Sequence, residues 1–199
     1  MAHRDTAHAL VSTEWLHDHL DDPTVRVVEI DEDTDAYAAG HVPGAVTWNW
    51  YRDLQHPLRR DYVDREQLGA LLSRSGVGPG TTVIVYGGNN NWFAAYGYWL
   101  LKYRGFEAVR LLDGGRMKWE AEGRPLTKEV PAPEPTGFRL TASARPGLRA
   151  YREDVLRGLG SVAFVDVRSP EEFTGEKLAR NYDGSWTEYG SSVGVPVER

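Results

Sequence analysis

The stretch Thr81 to Trp92, TTVIVYGGNNNW, constrains the fold more than any other part of the chain. The apolar run Val83 to Tyr86 reads as a buried strand, and it breaks abruptly into a polar, glycine-led loop before a helical pattern begins at Trp92. A strand, a tight loop and a helix N-terminus in that order gather backbone N–H groups around one small space, with the positive end of the helix dipole behind them. In a doubly wound α/β sheet that space lies at the carboxyl ends of the strands, where ligands bind. Gly87, Gly88, Asn89, Asn90 and Asn91 are therefore the candidates for an anion cradle. They offer no thiol, hydroxyl or amine for covalent chemistry.

The flanking sequence alternates strands with helices. Ser12 predicts the N-cap of a short helix carrying Trp15, Leu16, His19 and Leu20, and Val25 to Ile30 predicts a strand. Asp64 with Gln67 forms a capping pair for a helix with Leu68, Leu71 and Leu72 on one face, ended by Gly76. The helix Trp92 to Arg104 is apolar almost all round and is expected to be largely buried. Ala108 to Leu112 reads as a further strand, and Asp113, Gly114 and Gly115 turn into a helix around Trp119. This rhythm predicts a parallel sheet covered on both faces by helices. Trp48, Trp50 and Tyr51 read as core or domain-interface packing rather than a ligand box.

Five prolines between Pro125 and Pro146 mark a change of character, read as a linker over 125–147. Beyond it, Tyr151 to Leu159 predicts a helix and Val162 to Val167 a strand. Ser169, Pro170 and Glu172 form a helix-start signal.

Composition narrows the function. A net charge of −6 disfavours a nucleic-acid backbone binder, and no apolar run approaches the length of a membrane span, so a cytoplasmic protein is expected. With no cysteine, the chain as written has neither thiolate metal sites nor cysteine catalysis. The acidic run Asp31, Glu32, Asp33, Asp35 lacks the glycine and the glutamate of a calcium loop at its sixth and twelfth positions. His17 and His19, two apart on a helix, are poor partners for one metal, and His41 reads as a structural hydrogen-bonding residue. No metal or cofactor is called for. No GK[ST] phosphate loop is present.

Two landmarks recur. Val28, Glu29, Ile30 resembles Val165, Asp166, Val167, and Leu112, Asp113, Gly114 resembles Tyr182, Asp183, Gly184. Glu29 and Asp113 lie 84 positions apart but Asp166 and Asp183 only 17, a shortfall of 67 residues. A repeat that keeps its first strand and its last turn lacks the strands between, and the suspect junction is near Ala179 and Arg180.

GHVPGA at 40–45, VIVYGGNNNWFAAY at 83–96, LLDGGRMKWEAEG at 111–123, VDVRSPEEF at 165–173 and NYDGSWTEYG at 181–190 together resemble a two-domain thiosulfate sulfurtransferase, a rhodanese. The resemblance implies tandem α/β domains. The first, at 1–124, would be catalytically silent. The second, at 148–199, would be incomplete as written and without its cysteine-bearing middle. It implies a cysteine that takes sulfane sulfur from a small anionic donor such as thiosulfate and passes it, as a persulfide, to cyanide or another thiophilic acceptor. Gly87 falls in the nucleophile slot of the first domain, and Asp166 and Arg168 would support the second site. The chain as written is then expected to be inactive. The competing reading is a non-catalytic rhodanese-like module that binds an anion or a partner through the 87–91 loop.

Overall fold

The computed structural model describes residues 9–59, 61–166 and 170–176. The chain divides into two compact units, Met1–Leu58 with Tyr62–Arg149, and Arg59–Asp61 with Ala150–Arg199.

The first unit is a five-stranded sheet. Its strands are β1 (Leu10–Val11), β2 (Val25–Asp31), β3 (Val46–Asn49), β4 (Thr82–Tyr86) and β5 (Val109–Leu112), in the spatial order β1-β5-β4-β2-β3. Every pairing is parallel, with Val28 opposite both Val46 and Val85. Parallel neighbours need crossovers, and the helices α1 (Thr13–Asp18), α2 (Asp35–Ala39), α3 (Trp50–Leu54), α4 (Arg65–Arg74), α5 (Trp92–Tyr103) and α6 (Gly115–Ala121) occur between them or after β5. The α/β architecture expected from the sequence is thus observed.

Strand alternation divides the core in two. Val28, Ile30, Val83 and Val85 face Leu68, Leu71 and Leu72 of α4 and Ala94, Leu100 and Leu101 of α5. Val25, Val27, Ile84 and Tyr86 face the other way, toward Leu16 of α1 and Trp119 of α6. Both faces of the two central strands are therefore covered, which explains the apolar run Val83 to Val85 and the burial of most of β2. Ser12 caps α1 through the Trp15 N–H (3.0 Å), and Asp64 and Gln67 exchange the two bonds of a capping box on α4.

Helix α5 buries one face through Ala94, Gly97, Leu100, Leu101 and Tyr103, whereas Trp92 is 53% exposed and Ala95 faces solvent. Trp48 is a core residue whose indole N–H donates to Ser75 Oγ (2.8 Å), and Trp50 packs on Phe93 and Tyr96, but Tyr51 is 73% exposed. The proline-rich stretch is docked along the first unit. Thr127 pairs with His41 backbone to backbone, Leu140 enters the core, the Arg145 N–H donates to Tyr103 O (2.7 Å), and the Trp99 indole donates to Leu148 O (2.7 Å). Prolines remove donors without removing the apolar pegs Phe138 and Leu140, so an extended strap can still pack.

In the second unit, α7 (Arg152–Gly158) begins with the Tyr151 N–H donating to the Asp154 carboxylate (2.9 Å), and α8 spans Pro170–Thr174. Val162 to Asp166, expected to begin a strand, forms no strand pairing: Val162 lies in a bend with its N–H donating to Gly158 O (3.0 Å), and Val162, Phe164 and Val165 are 57%, 51% and 84% exposed. A strand of that apolar character needs neighbours on both edges. Val167, Arg168, Ser169, the Ala179/Arg180 junction and Tyr182 to Gly184 lie outside the described residues.

Candidate functional site

The 87–91 loop follows β4 at the carboxyl end of the sheet, as its sequence predicts. Asn89, Asn90 and Asn91 all adopt the left-handed conformation (φ 46°, 55° and 65°), which asparagine tolerates better than other residues with a β-carbon. The three form a single tight turn leading into α5.

The Gly87, Gly88 and Asn91 N–H groups are turned inward. The Gly87 N–H donates to Asn91 Oδ1 (3.0 Å), and the Asn91 amide donates in turn to Leu112 O on β5 (2.7 Å). Asn91 is buried and ties β4, β5 and the start of α5 together. The Gly88 N–H donates to Asp31 Oδ2 at the end of β2 (2.7 Å). The Asn91 N–H donates to Gly88 O (2.8 Å). Gly87, Gly88 and Asn91 therefore serve the fold, while Asn89 and Asn90 are exposed. Burial pushes the Asp31 carboxyl up, against the Gly88 N–H and the Arg116 charge, which favour the carboxylate.

Space at Gly87 is equally restricted. A β-carbon there would lie 2.4 Å from Ile30 O and 3.3 Å from Asp31 Oδ2. On its far side α6 closes in. The Arg116 N–H donates to Gly87 O (3.1 Å), and a β-carbon on Gly115 would lie 2.2 Å from Asn91 Oδ1. The paired glycines of the DGG sequence permit this approach, both with positive φ (76° and 55°).

Beneath the loop is an ion pair that sequence reasoning did not find. Arg116 on α6 grips Glu29 on β2 with Nη2 at 2.6 and 2.8 Å from the two carboxylate oxygens, and its Nη1 reaches Gly40 O (2.7 Å) and Glu120 Oε1 (2.9 Å). Tyr86 also donates to Glu29 and accepts from the Val42 N–H (3.0 Å). Burial raises the Glu29 carboxyl, and the bonds from Arg116 and Tyr86 oppose the shift. The available signal was Glu29 flanked by the apolar residues Val27, Val28 and Ile30, a charge that calls for a buried partner.

His41 is fully buried and stacked on Tyr37 (3.8 Å, 6°). Its ring nitrogens lie 2.9 Å from Tyr37 O and 3.0 Å from Glu129 O, so it fastens the strap, in keeping with the structural role read from the sequence. Asp33 accepts from the Asp35 N–H (2.8 Å) as a turn residue. His19 stacks on Trp15 (4.0 Å), whereas His17 pairs with Asp18. An open groove of about 400 Å³ lies beside the loop, lined by Glu32, Asn89, Asn90, Trp92 and Phe93. In the second unit Asp166 is exposed, and Arg168 is outside the described residues. No helix among the described residues is long and apolar enough to cross a membrane.

Residues 12–122 match the profile of the rhodanese-like domain, a span that contains the entire sheet from β2 to β5 and the loop just described. The chain belongs to the rhodanese-like family. A Saccharopolyspora erythraea protein provisionally named a thiosulfate sulfurtransferase is 38% identical over 269 aligned positions, covering 95% of each chain. The sulfur carrier protein TtuD of Thermus thermophilus is 48% identical over 172 positions, covering 84% of this chain and 60% of TtuD. The crystal structure of SseA from Escherichia coli, described with the rhodanese fold and mechanism of 3-mercaptopyruvate sulfotransferases, superposes with a TM-score of 0.71 at 25% identity. It covers 84% of this chain and 68% of SseA. An alignment of 269 positions against a chain of 199 residues leaves at least 70 positions of the Saccharopolyspora relative with no counterpart here.

Within this rhodanese-like unit, Asn91 is the residue whose loss should be felt most directly. Asn91→Ala leaves the buried Gly87 N–H and Leu112 carbonyl without partners, and places alanine at positive φ. At about 1–3 kcal/mol for each stranded group, a loss of about 2–4 kcal/mol is expected in urea unfolding. A change below 0.5 kcal/mol would mean that the loop relaxes freely.

Proposed function

We propose that this chain represents a two-domain thiosulfate sulfurtransferase from which the cysteine-bearing part of the second domain is missing, and that the 199 residues as written transfer no sulfur. The observation that carries this reading is a chain without cysteine whose residues 12–122 match the rhodanese-like domain, with Gly87 at the position that the family resemblance makes the nucleophile slot. A persulfide mechanism needs a thiolate to attack the sulfane sulfur of thiosulfate, releasing sulfite, and then to yield that sulfur to cyanide or another thiophile. Nothing in Gly87 to Asn91 can perform either step.

The layout proposed is a silent domain at 1–124, a connecting strap at 125–147 and a partial domain at 148–199 interrupted near Ala179 and Arg180. The unmatched 70 or more positions of the Saccharopolyspora alignment agree in size with the 67 residues by which the second repeat is short. The exposed apolar run Val162 to Val165 supports the same layout, since it would be the first strand of a sheet whose other strands are gone. Asp166 and Arg168 would act only once that sheet is complete. The alternative of an anion-binding module is the weaker reading, because Asp31 and Asn91 already occupy two of the loop's donors.

Thiocyanate formation from thiosulfate and cyanide tests the proposal. The chain as written should not exceed background, whereas the same chain with a complete cysteine-bearing second domain should turn over. Loss of a covalent nucleophile costs on the order of a million-fold in rate. Thiocyanate production by the cysteine-free chain would overturn the reading.

A further inference from the structure

We propose that the Asp31 carboxylate is the built-in occupant of the first unit's strand-loop-helix, and that its charge closes this loop to external anions. The silence of the unit is then an active rejection of anionic ligands, beyond the absence of a nucleophile.

Four observations converge on Asp31. It stands at the last position of β2, only 6% exposed, with Oδ2 2.7 Å from the Gly88 nitrogen. Its oxygen lies 3.3 Å from where a β-carbon would stand on either Gly87 or Gly88, so the carboxylate fills the space that a bound anion would take. The neighbouring Gly87 N–H is committed to Asn91, whose amide is anchored to β5, so no rearrangement of one side chain reopens the pair of donors. The fourth observation lies in the sequence. Aligning the repeated landmarks Val28-Glu29-Ile30 and Val165-Asp166-Val167 places Asp31 opposite Arg168. The two repeats carry opposite charges at the residue that follows the same strand motif.

A carboxylate in this position acts on anions in two ways. It removes a donor, and it adds a negative charge in a half-buried site where screening is weak. Arg116 offsets that charge only in part, because its guanidinium also balances the carboxylates of Glu29 and Glu120. Asp33 in the following turn and Glu32 on the groove add to the negative side. The effect does not depend on whether the complete protein transfers sulfur. If it does, the arrangement would keep a thiosulfate-like donor from being held unproductively in the silent domain.

The test uses the full chain labelled with nitrogen-15, with the Gly87 and Gly88 amide resonances followed during titration with sodium sulfate and sodium thiosulfate at constant ionic strength and pH 7.5. Asp31→Asn keeps an oxygen that can accept from Gly88 but removes the charge. Asp31→Ser is a second neutral replacement should the first fail to fold. The unaltered chain should show no saturable shift, and a neutral variant should show a saturable shift at Gly88, with affinity at least tenfold above the limit set by the unaltered chain. Equal saturation in the unaltered chain, or no gain in a folded neutral variant, would overturn the proposal. Anion binding that appears elsewhere while both glycine resonances stay fixed would also count against it.

Discussion

Arg116→Met is expected to destabilise the first unit by about 3–5 kcal/mol, a large part of the stability of an ordinary domain. The substitution keeps the volume of the side chain but leaves Glu29, only 1% exposed, as a buried carboxylate whose remaining partner is the Tyr86 hydroxyl. Removing one member of a buried pair is costly because the other stays desolvated. Glu29→Gln in the same chain should therefore recover part of the loss, and urea unfolding of the single and double variants measures the coupling. Equal, additive losses would mean that the two residues do not depend on each other.

The same pair has a definite pH signature. Burial raises the Glu29 carboxyl above its unfolded value even with Arg116 and Tyr86 in place. The native state then binds more protons than the unfolded state between the two values. The contribution of this group is most favourable below the unfolded value and declines as pH rises through the folded one. Without Arg116 the opposing pull is gone and the upward shift grows. The deficit of Arg116→Met should accordingly be larger at pH 7.5 than at pH 5, and a deficit that grew on acidification would contradict the assignment.

Local chemistry was the legible part of this sequence. The apolar run Val83 to Tyr86, the Asp64–Gln67 capping box and the Ser12 cap are each decided by residues within a few positions of one another, and each was found where expected. The unread part depends on distance along the chain. Glu29 and Arg116 are 87 positions apart, and Asp31 and Gly88 are 57 apart, so no periodicity or spacing announces either contact. Asn91 was legible as a loop residue but not as a link between β4 and β5, because both partners are backbone atoms. The polar run GGNNN suggested an anion cradle, and nothing in its spacing announced that Asn91 and Asp31 take the Gly87 and Gly88 N–H groups. Val162 to Val165 shows the reverse case. Its sequence is that of a buried strand, but the described residues of the second unit contain no strand for it to pair with, and sequence preference alone does not make a sheet.

Gly87→Cys, which puts a thiol at the position proposed as the nucleophile slot of this unit, is expected to yield a less stable protein and no sulfur transfer. The new β-carbon would stand 2.4 Å from Ile30 O, well inside contact distance. That oxygen belongs to central strand β2, held by β3 on one side and β4 on the other. Relief requires β2 and β4 to part at their carboxyl ends, which strains the Asn91 link and the Gly88 bond to Asp31. Overpacking of this kind costs about 1–3 kcal/mol, with the lost loop bonds added to it. Chemistry fares no better than packing. A thiol beside the Asp31 carboxylate would have its thiolate disfavoured, where sulfur transfer needs a thiolate favoured by N–H donors and positive charge. The donor anion would meet the same negative charge. Thiocyanate formation by Gly87→Cys should therefore stay at the level of the unaltered chain, with a lower melting temperature. Combining it with Asp31→Asn should ease the electrostatic obstacle and leave the steric one. Turnover by the single variant at normal stability would show that the slot was closed by nothing more than its missing sulfur.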